Sequence, residues 1–207
     1  VGLPKSGSTS LNAYFTCHNL TSLHWYMPNK YTMLGHCVHE AAVRNVEIGL
    51  VGRNCGRQAP KSVNSTALSP AEKNQLAFSS PLEFDALMQM DYAEKYGCAM
   101  PQVNHIRYLD SMYPGSKFVF CYRNLDDWLT SLSAWGPGSG RPVNDYPQRI
   151  MGCMDRLKVP KQGESVGEIL KNFYLWQFRR VLKYFEGRAG DLVIIDLYGD
   201  LNSELLD

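Results

Sequence analysis

The sequence predicts an α/β fold in which a central parallel β-sheet is flanked by helices. Two continuous apolar runs, residues 117–122 and 192–196, have the pattern of buried strands. Helical patterns fill much of the chain between them, and this alternation favours a parallel sheet covered on both faces. The 207 residues are enough for one sizeable core, so we expect a single domain spanning 1–207.

The first ten residues predict a strand end, a tight turn and the start of a helix. Val1 and Leu3 are apolar, Pro4 and Gly7 interrupt the strand, and three hydroxyl residues at 8–10 open a helical run. Backbone N–H groups in such a turn, together with the helix dipole, favour a bound anion.

Two helices and a loop are expected next. Residues 8–18 predict a helix, and a polar and aromatic stretch with a Pro-Asn pair predicts a loop over 19–31. Residues 31–46 predict a second helix. The inward positions expected for the two helices are Leu11, Tyr14, Phe15, Met33, Cys37, Ala41 and Val43.

The middle of the chain alternates irregular and regular stretches. Gly, Asn, Ser and Pro are dense over 49–81, which predicts a long irregular region of the kind that often covers active sites. The apolar run 82–90 fits either a short helix or a strand, and 92–96 predicts a helix that stops at Gly97. A helical period over 104–112 then leads to the first buried strand.

The second half of the chain has clearer boundaries. A helix is expected from Asp126 to Trp135, followed by a glycine-rich loop at 136–140. Two further helices, over 145–157 and a strongly amphipathic 165–186, precede the last strand. Their aromatic residues lie at helical spacing, which is typical of core packing.

The turn after Leu3 differs from the loop of nucleotide hydrolases. That loop requires Gly-x-x-x-x-Gly-Lys-Ser/Thr. Gly2 and Gly7 have the right separation, but Ser8 stands where the lysine should be, and Lys5 precedes Gly7 by two residues. The displaced lysine therefore indicates a different chemistry.

A second anion site is expected after the strand at 117–122. Arg123 follows this strand directly, and Ser131 lies eight residues later on the next helix, so the two can clamp a phosphate. Ligands bind beyond the carboxyl ends of parallel strands. Lys5 and Arg123 are therefore expected at the same edge of the sheet.

These motifs resemble those of sulfotransferases. Residues 4–9, Pro-Lys-Ser-Gly-Ser-Thr, are similar to the 5′-phosphosulfate loop of that family, usually Pro-Lys-Ser-Gly-Thr-Thr. Residues 122–131 resemble the family's 3′-phosphate motif, in which Arg and Ser are eight residues apart. Residues 113–118 are also similar to members of the superfamily.

The resemblance implies a P-loop-like sulfotransferase fold that uses 3′-phosphoadenosine 5′-phosphosulfate and releases adenosine 3′,5′-bisphosphate, with no metal required. Lys5 would neutralise charge on the bridging oxygen as the S–O bond breaks. Arg123 and Ser131 would hold the 3′-phosphate. The rest of the implied donor site is Pro4, Ser6, Gly7, Ser8, Thr9 and Ser10.

The sequence says less about the part of the site that would bind the acceptor. A hydroxyl acceptor needs a base, and Asp91 or His105 is the candidate, with a helix cap and an ordinary helix-face residue as the respective alternatives. The acceptor itself is left open among small alcohols, phenols, glycans and protein tyrosines, or an amine. We expect loops at 19–35 and 49–81 to shape its pocket.

The chain departs from the family pattern in two places. Many members carry a Trp after the two hydroxyl residues, where this chain has Ser10, so the adenine contact is not identified. A late Arg-Lys-Gly segment is also missing, and 187–190 does not replace it.

Other functions compete with sulfuryl transfer. A P-loop kinase or nucleotide hydrolase would need an acidic Mg²⁺ ligand, for which Asp196 is the one candidate. A binding module for adenosine 3′,5′-bisphosphate would keep the pocket without the base. At the level of single residues, the Lys5 loop could be a simple turn, and Arg123 could pair with Asp126 or Asp127.

Composition and charge limit the kinds of partner and the cellular compartment that we expect for this protein. Hydrophobic residues make up 44%, charged residues 20%, and the net charge is +1, so neither a nucleic acid nor a membrane surface is expected. No apolar run approaches the roughly 18 residues of a membrane span. The sequence has no signal peptide and begins inside a motif without Met, so we expect a longer protein, truncated at one or both ends. The cytoplasm is favoured over the secretory-pathway lumen.

The six cysteines show no C-x-x-C spacing, which argues against a zinc or redox site. Cys17 and Cys121 are expected to be buried free thiols. One or two disulfides are left open, as is the oligomeric state.

Overall fold

The computed structural model describes residues 2–27, 33–48, 84–94, 97–135, 145–157 and 159–199. Within these ranges the fold is mixed α/β, as predicted. The described helices are α1 (Ser8–Cys17), α2 (Leu34–Arg44), α3 (Pro101–Asn104), α4 (Ile106–Met112), α5 (Leu125–Ser133), α6 (Asp145–Leu157) and α7 (Val166–Tyr184). The described strands are β1 (Ser22–His24), β2 (Ala86–Met88), β3 (Tyr92–Glu94), β4 (Gly97–Ala99), β5 (Phe118–Tyr122) and β6 (Leu192–Asp196).

The described strands form three pairs instead of one central sheet. β1 and β2 are parallel, β5 and β6 are parallel, and β3 and β4 are antiparallel. The prediction of parallel pairing is therefore confirmed for four strands, while a continuous sheet is not seen among the described residues. The backbone at Gly2 runs beside β5, because a Cβ built there would lie 3.6 Å from the Cys121 nitrogen.

The two long apolar strands and the helices of the second half lie close to their predicted positions. β5 is buried as predicted, whereas β6 is only partly buried and Val193 is 46% exposed, so the prediction of a buried strand is wrong for β6. β5 and β6 lie where the apolar runs placed them, and α6 has the predicted bounds. α5 begins one residue earlier than expected, because the Asn124 side chain accepts hydrogen bonds from the Asp126 and Asp127 amides. Ser165 and Glu168 form a capping box that starts α7.

Three expectations for the first half were wrong. The stretch 92–96 was predicted as a helix, but β3 and β4 pair there, because five residues are too few to separate a helical from an extended period. The loop predicted at 19–31 contains the three-residue strand β1. Tyr14 and Val43, expected inward, are 56% and 69% exposed. The irregular regions expected at 49–81 and 136–140 lie outside the described residues.

The core between the parallel pair β5–β6 and α7 is aromatic. Phe120 and Phe178 are fully buried with ring centroids 5.0 Å apart, and Trp128 of α5 lies 4.9 Å from Tyr174 of α7. These rings pack the helix that follows Arg123 against α7. The core therefore fixes where Arg123 and the start of α5 lie.

One disulfide joins β4 to α6. Cys98 and Cys153 are bonded, which closes a loop of 55 residues. Cys121 is a buried free thiol, as predicted, whereas Cys17 is free but exposed. Among the described helices none is long and apolar enough to cross a membrane.

Removing the Cys98–Cys153 crosslink is expected to lower the free energy of unfolding by about 4 kcal/mol, because a loop of this length gains much entropy when opened in the unfolded chain. Urea unfolding of the variant carrying both Cys98→Ala and Cys153→Ala measures the loss. Cys17→Ala, at an exposed free thiol, serves as the control. Equal stability of the double variant and the wild type would contradict the crosslink.

Candidate functional site

The carboxyl ends of β1, β2 and β5 open onto one small cavity of about 220 Å³. His24 ends β1, Gln89 follows β2, and Arg123 follows β5. This is the edge at which parallel strands present ligand-binding residues. The residues that line the cavity are Lys5, Gly7, Ser8, Thr9, His24, Trp25, Gln89, Arg123, Ser131 and Trp135.

The structure thus brings together both predicted anion motifs. Lys5 and the start of α1 come from the first motif, and Arg123 and Ser131 from the second. Helical spacing on α5 turns Ser131 toward the strand end that carries Arg123. Of the other predicted loop residues, Pro4 and Ser6 are buried and Ser10 is exposed, and none of the three lines this cavity.

The loop backbone is fixed by donors from outside the loop. Trp128 Nε1 donates to the Pro4 carbonyl at 2.7 Å, inside the core. Arg123 Nη1 donates to the Lys5 carbonyl at 3.2 Å. These two bonds tie consecutive loop carbonyls to α5 and to the end of β5. The loop therefore cannot move without breaking contacts in the core.

The start of α1 is free to receive an anion. Gly7 is its N-cap, with φ of +86°, and supplies no side-chain cap. The first turn holds no acidic residue, so its unpaired amides and the helix dipole are not neutralised within the helix. Ser8, at the first helical position, donates its hydroxyl to Gln89 Oε1 at 3.1 Å.

Lys5 and Arg123 place two positive charges in this cavity. Burial, together with the nearby Arg123 guanidinium, lowers the pKa of Lys5 from its ordinary value. No carboxylate of the described residues lies within ion-pair distance of either side chain. The Lys5 Nζ atom lies 5.8 Å from the centroid of the Trp135 ring. An anionic group in the cavity would relieve the repulsion between the two cations.

Arg123 is held by its backbone and leaves donor capacity on its side chain. Its amide donates to the Tyr174 hydroxyl at 2.9 Å, and its Nε atom is buried with no partner among the described residues. Burial raises the pKa of Tyr174 to about 12, so this hydroxyl is neutral at ordinary pH. Asp126, the alternative partner of Arg123, forms an ion pair with Lys171 instead.

Four lining residues were not identified from the sequence. They are His24, Trp25, Gln89 and Trp135. The Trp25 and Trp135 rings lie 5.1 Å apart and form an aromatic wall beside Lys5. His24 falls within the stretch 19–35 that was expected to shape the acceptor pocket, but no catalytic role was predicted for it. Nothing in the local pattern around Gln89 indicated a site.

Backbone strain is concentrated around this cavity. Of the five described non-glycine residues with positive φ, three line it: Lys5 at +66°, Trp25 at +64° and Gln89 at +46°. Such conformations cost on the order of 1–3 kcal/mol each and occur most often at functional sites. The concentration supports a functional role for the cavity and not merely a turn at Lys5.

Asp91 lies elsewhere, in a second cavity of about 460 Å³ that shares Ser8 and Gln89 with the first. Asp91 is 1% exposed and accepts a hydrogen bond from the Tyr146 hydroxyl. Burial raises the pKa of Asp91 to about 6. Asp91 does not line the cavity that contains Lys5. The assignment of Asp91 as a base stays a prediction.

His105 lies at the junction of α3 and α4 and lines neither of these two cavities. Its Nε2 atom is 2.8 Å from His39 Nδ1 on α2. Burial, and then the proximity of His39, lowers the pKa of His105 to about 4. The structure therefore pairs this histidine with a neighbouring helix and does not bring it to Lys5.

Asp196, the candidate Mg²⁺ ligand, ends β6. Its Oδ1 atom accepts hydrogen bonds from the Tyr198 and Gly199 amides at 3.2 and 2.9 Å. The carboxylate thus caps the turn that follows the strand. Within the described part of the chain, no group of three or more His, Cys, Asp or Glu side chains has the arrangement of a metal site.

Comparison with known proteins assigns no family. The chain matches no sequence profile of a known protein family, and no curated protein matches it either.

Gly7→Ala is expected to destabilise the fold more than Gly115→Ala does. Both glycines have positive φ, so each substitution introduces backbone strain of about 1 kcal/mol. At Gly7 the new Cβ would also lie 2.9 Å from Leu197 Cδ1, whereas Gly115 faces open space. The Leu197 methyl group ends a flexible side chain that can turn away, so we expect a further loss of only about 0.5–1.5 kcal/mol. Urea unfolding measures both. Equal losses would show that Leu197 does not press on the loop.

Proposed function

We propose that the protein is a sulfotransferase with a P-loop-like sulfotransferase fold, and that it transfers a sulfuryl group from 3′-phosphoadenosine 5′-phosphosulfate to a hydroxyl or amine. One observation carries the proposal. Lys5, Arg123 and the uncapped start of α1 converge on one cavity in which no described carboxylate neutralises them. This arrangement suits an anion with several negative groups.

The displaced lysine favours sulfuryl over phosphoryl transfer. Lys5 lies before the helix, and its backbone carbonyl accepts a hydrogen bond from Arg123, so its backbone is held by a contact outside α1. Charge builds on the bridging oxygen as the S–O bond breaks, and a fixed cation there lowers the barrier. Transfers of this loose kind depend mainly on positioning and charge stabilisation.

Each anionic group of the donor has a matching set of residues. The first-turn amides of α1, with the Ser8 and Thr9 hydroxyls, would hold the 5′-phosphate. Arg123, which has a buried unpartnered Nε, and Ser131 would hold the 3′-phosphate. A cavity of about 220 Å³ is below the roughly 300–1,000 Å³ of complete ligand sites, so it suits the charged part of the nucleotide.

The acceptor is proposed to bind beside Lys5, against the aromatic residues of the cavity. Trp25 and Trp135 offer a flat apolar wall at Lys5, and such walls suit small apolar or ring-containing acceptors. A small molecule or a glycan is the proposed acceptor class. Neither a nucleic acid nor a metal has a role in the proposed reaction.

The test of this function is consumption of the labelled phosphosulfate donor. Incubation with an extract of the source organism, in the presence of a metal chelator, should yield a labelled acceptor together with adenosine 3′,5′-bisphosphate. Mg²⁺-dependent ATP turnover without donor consumption would show a kinase or nucleotide hydrolase. A rise in melting temperature with adenosine 3′,5′-bisphosphate, but no labelled product, would show a binding module.

Lys5→Ala and Arg123→Ala are expected to fail in different ways. Loss of the Lys5 charge should lower kcat by about 10²–10³-fold, because that charge acts mainly in the transition state. Loss of Arg123 should weaken binding of adenosine 3′,5′-bisphosphate by about 10- to 100-fold, because charge-assisted hydrogen bonds are removed. Steady-state kinetics and calorimetric titration separate the two effects.

Lys183→Ala is the matched control, since this exposed lysine of α7 pairs with Glu186 and neither residue is in the described lining of the cavity. It should leave both quantities unchanged. Near-normal kcat in Lys5→Ala would contradict the role given to this lysine.

A further inference from the structure

We propose that the acceptor is a glycan whose reactive sugar lies against Trp25 and Trp135 and whose next sugar lies against Tyr26. This inference rests on the proposed sulfotransferase function, and it narrows the acceptor to a carbohydrate of at least two sugar units. The evidence is a row of aromatic rings that leads from the Lys5 cavity to the protein surface. The turn that carries two of these rings and the composition of the cavity lining support the same acceptor.

Four aromatic residues form a continuous row beside the cavity. The ring centroids of Tyr26 and Trp25 are 5.7 Å apart, those of Trp25 and Trp135 are 5.1 Å apart, and Tyr146 follows at 4.3 Å from Trp135. Tyr146 is 4% exposed and Tyr26 is 42% exposed, so the row begins in the core and ends at the surface. The two tryptophans line the cavity that contains Lys5. An acceptor that reacts beside Lys5 and extends toward Tyr26 would therefore meet aromatic rings along its length.

A strained turn carries Trp25 and Tyr26. The Tyr26 amide donates to the His24 carbonyl at 2.7 Å, and Trp25 between them has φ of +64°, which is typical of a rare and strained γ-turn. The Trp25 amide donates to the Met88 carbonyl at 3.3 Å, and the Trp25 carbonyl accepts from the Leu34 amide at 2.8 Å. The backbone that carries the two rings is therefore fixed before an acceptor arrives. Preorganisation of this kind lowers the entropic cost of binding, and strained backbone occurs most often at functional sites.

The part of the lining that the donor does not use favours a sugar over an aliphatic alcohol. The residues proposed to hold the donor leave four others in the lining: His24, Trp25, Gln89 and Trp135. None of these four side chains is aliphatic. An aliphatic alcohol would place its chain against amide and imidazole groups here. A sugar ring has C–H groups that pack on an aromatic ring and hydroxyl groups that bond to polar neighbours such as the Gln89 amide.

The outer end of the row distinguishes a glycan from a simple phenol. A phenol has one ring, and the two cavity tryptophans would account for all of its aromatic contacts. Tyr26 is not in the described lining of the cavity, and its ring plane lies at 28° to that of Trp25. Tyr26 is therefore available to an acceptor that extends beyond the cavity. Aromatic side chains offer a large contact area at low entropic cost, which suits an acceptor built from successive rings.

The kinetic test measures transfer from the labelled donor to acceptors of different size and class. The sugars are disaccharides of glucose, galactose, mannose and their N-acetylamino forms, with the matching monosaccharides, and the other acceptors are a nitrophenol, octanol and a tyrosyl peptide. At least one disaccharide should accept the label, with a KM about 3- to 10-fold below that of its monosaccharide. Tyr26→Ala should abolish this difference and leave kcat and the monosaccharide KM unchanged. Tyr14→Ala is the matched control, because this tyrosine is 56% exposed and lies outside both the row and the described lining.

A pair of substitutions at Trp25 separates aromatic contact from apolar contact in general. Phenylalanine and leucine both replace the indole at the same positive φ, so the backbone strain is matched between Trp25→Phe and Trp25→Leu. Trp25→Phe should keep most of the activity toward the disaccharide. Trp25→Leu should raise the disaccharide KM by about 10-fold, because leucine offers no ring to the sugar. Both variants should bind adenosine 3′,5′-bisphosphate as the wild type does, which checks that the cavity is still folded.

A second readout is independent of turnover. Saturation-transfer NMR with the same disaccharide, in the presence of adenosine 3′,5′-bisphosphate, should show that both sugar rings contact the protein. In Tyr26→Ala the signal of the ring that does not receive the sulfuryl group should fall. The signal of the reactive ring should stay.

The outcomes are distinct. Transfer to the nitrophenol, octanol or the tyrosyl peptide but to no sugar would overturn the glycan acceptor and leave the proposed function standing. A disaccharide KM that is unchanged in Tyr26→Ala, or equal in Trp25→Phe and Trp25→Leu, would overturn the role of the aromatic row. If the wild type consumes no donor with any acceptor, the proposed function itself fails. Sugar contact in the NMR spectra would then support the row as a sugar-binding site, and its absence would overturn that too.

Discussion

The fold around the cavity depends on the hydrogen bond from Trp128 Nε1 to the Pro4 carbonyl. Trp128 is fully buried, so this bond joins the loop to the aromatic core and not to the surface. Arg123 repeats the connection one residue later, at the Lys5 carbonyl. Residues more than a hundred positions apart in sequence are thereby held in one rigid arrangement, which lets Lys5 keep a strained backbone conformation.

The same arrangement keeps two like charges close to one another. Lys5 and Arg123 repel, and the repulsion contributes to the lowered pKa of Lys5. Without an anion in the cavity, replacing Lys5 or Arg123 by a neutral residue would remove this repulsion. A bound anion would instead offset the repulsion between the two charges. Gln89 adds a second constraint, because it contacts both the Ser8 hydroxyl and the His24 imidazole. The two sides of the cavity are therefore linked through one strained residue.

Local signals in the sequence were enough to identify the cavity residues that are proposed to bind an anion. Lys5 and Gly7 stand out by composition, and Arg123 and Ser131 by a strand end followed by helical spacing. His24 and Gln89 were not predictable in the same way, because a parallel pairing of two three-residue strands brings them together. Asp91 and His105 were chosen by their place along the chain, and tertiary contacts with Tyr146 and His39 take them elsewhere. Short strands and contacts between distant segments have no periodic signature.

The disulfide between β4 and α6 bears on how the protein is handled and where it can persist. α6 carries Tyr146, whose ring lies 4.3 Å from Trp135, and Trp135 in turn faces Lys5. The disulfide thus helps to hold α6 in the position where Tyr146 packs against Trp135, a residue that lines the cavity. Disulfides are rare in the reducing cytosol and common in the secretory pathway. Thiol reductants in a purification buffer would therefore loosen the aromatic wall, and oxidising expression hosts are the better source of material.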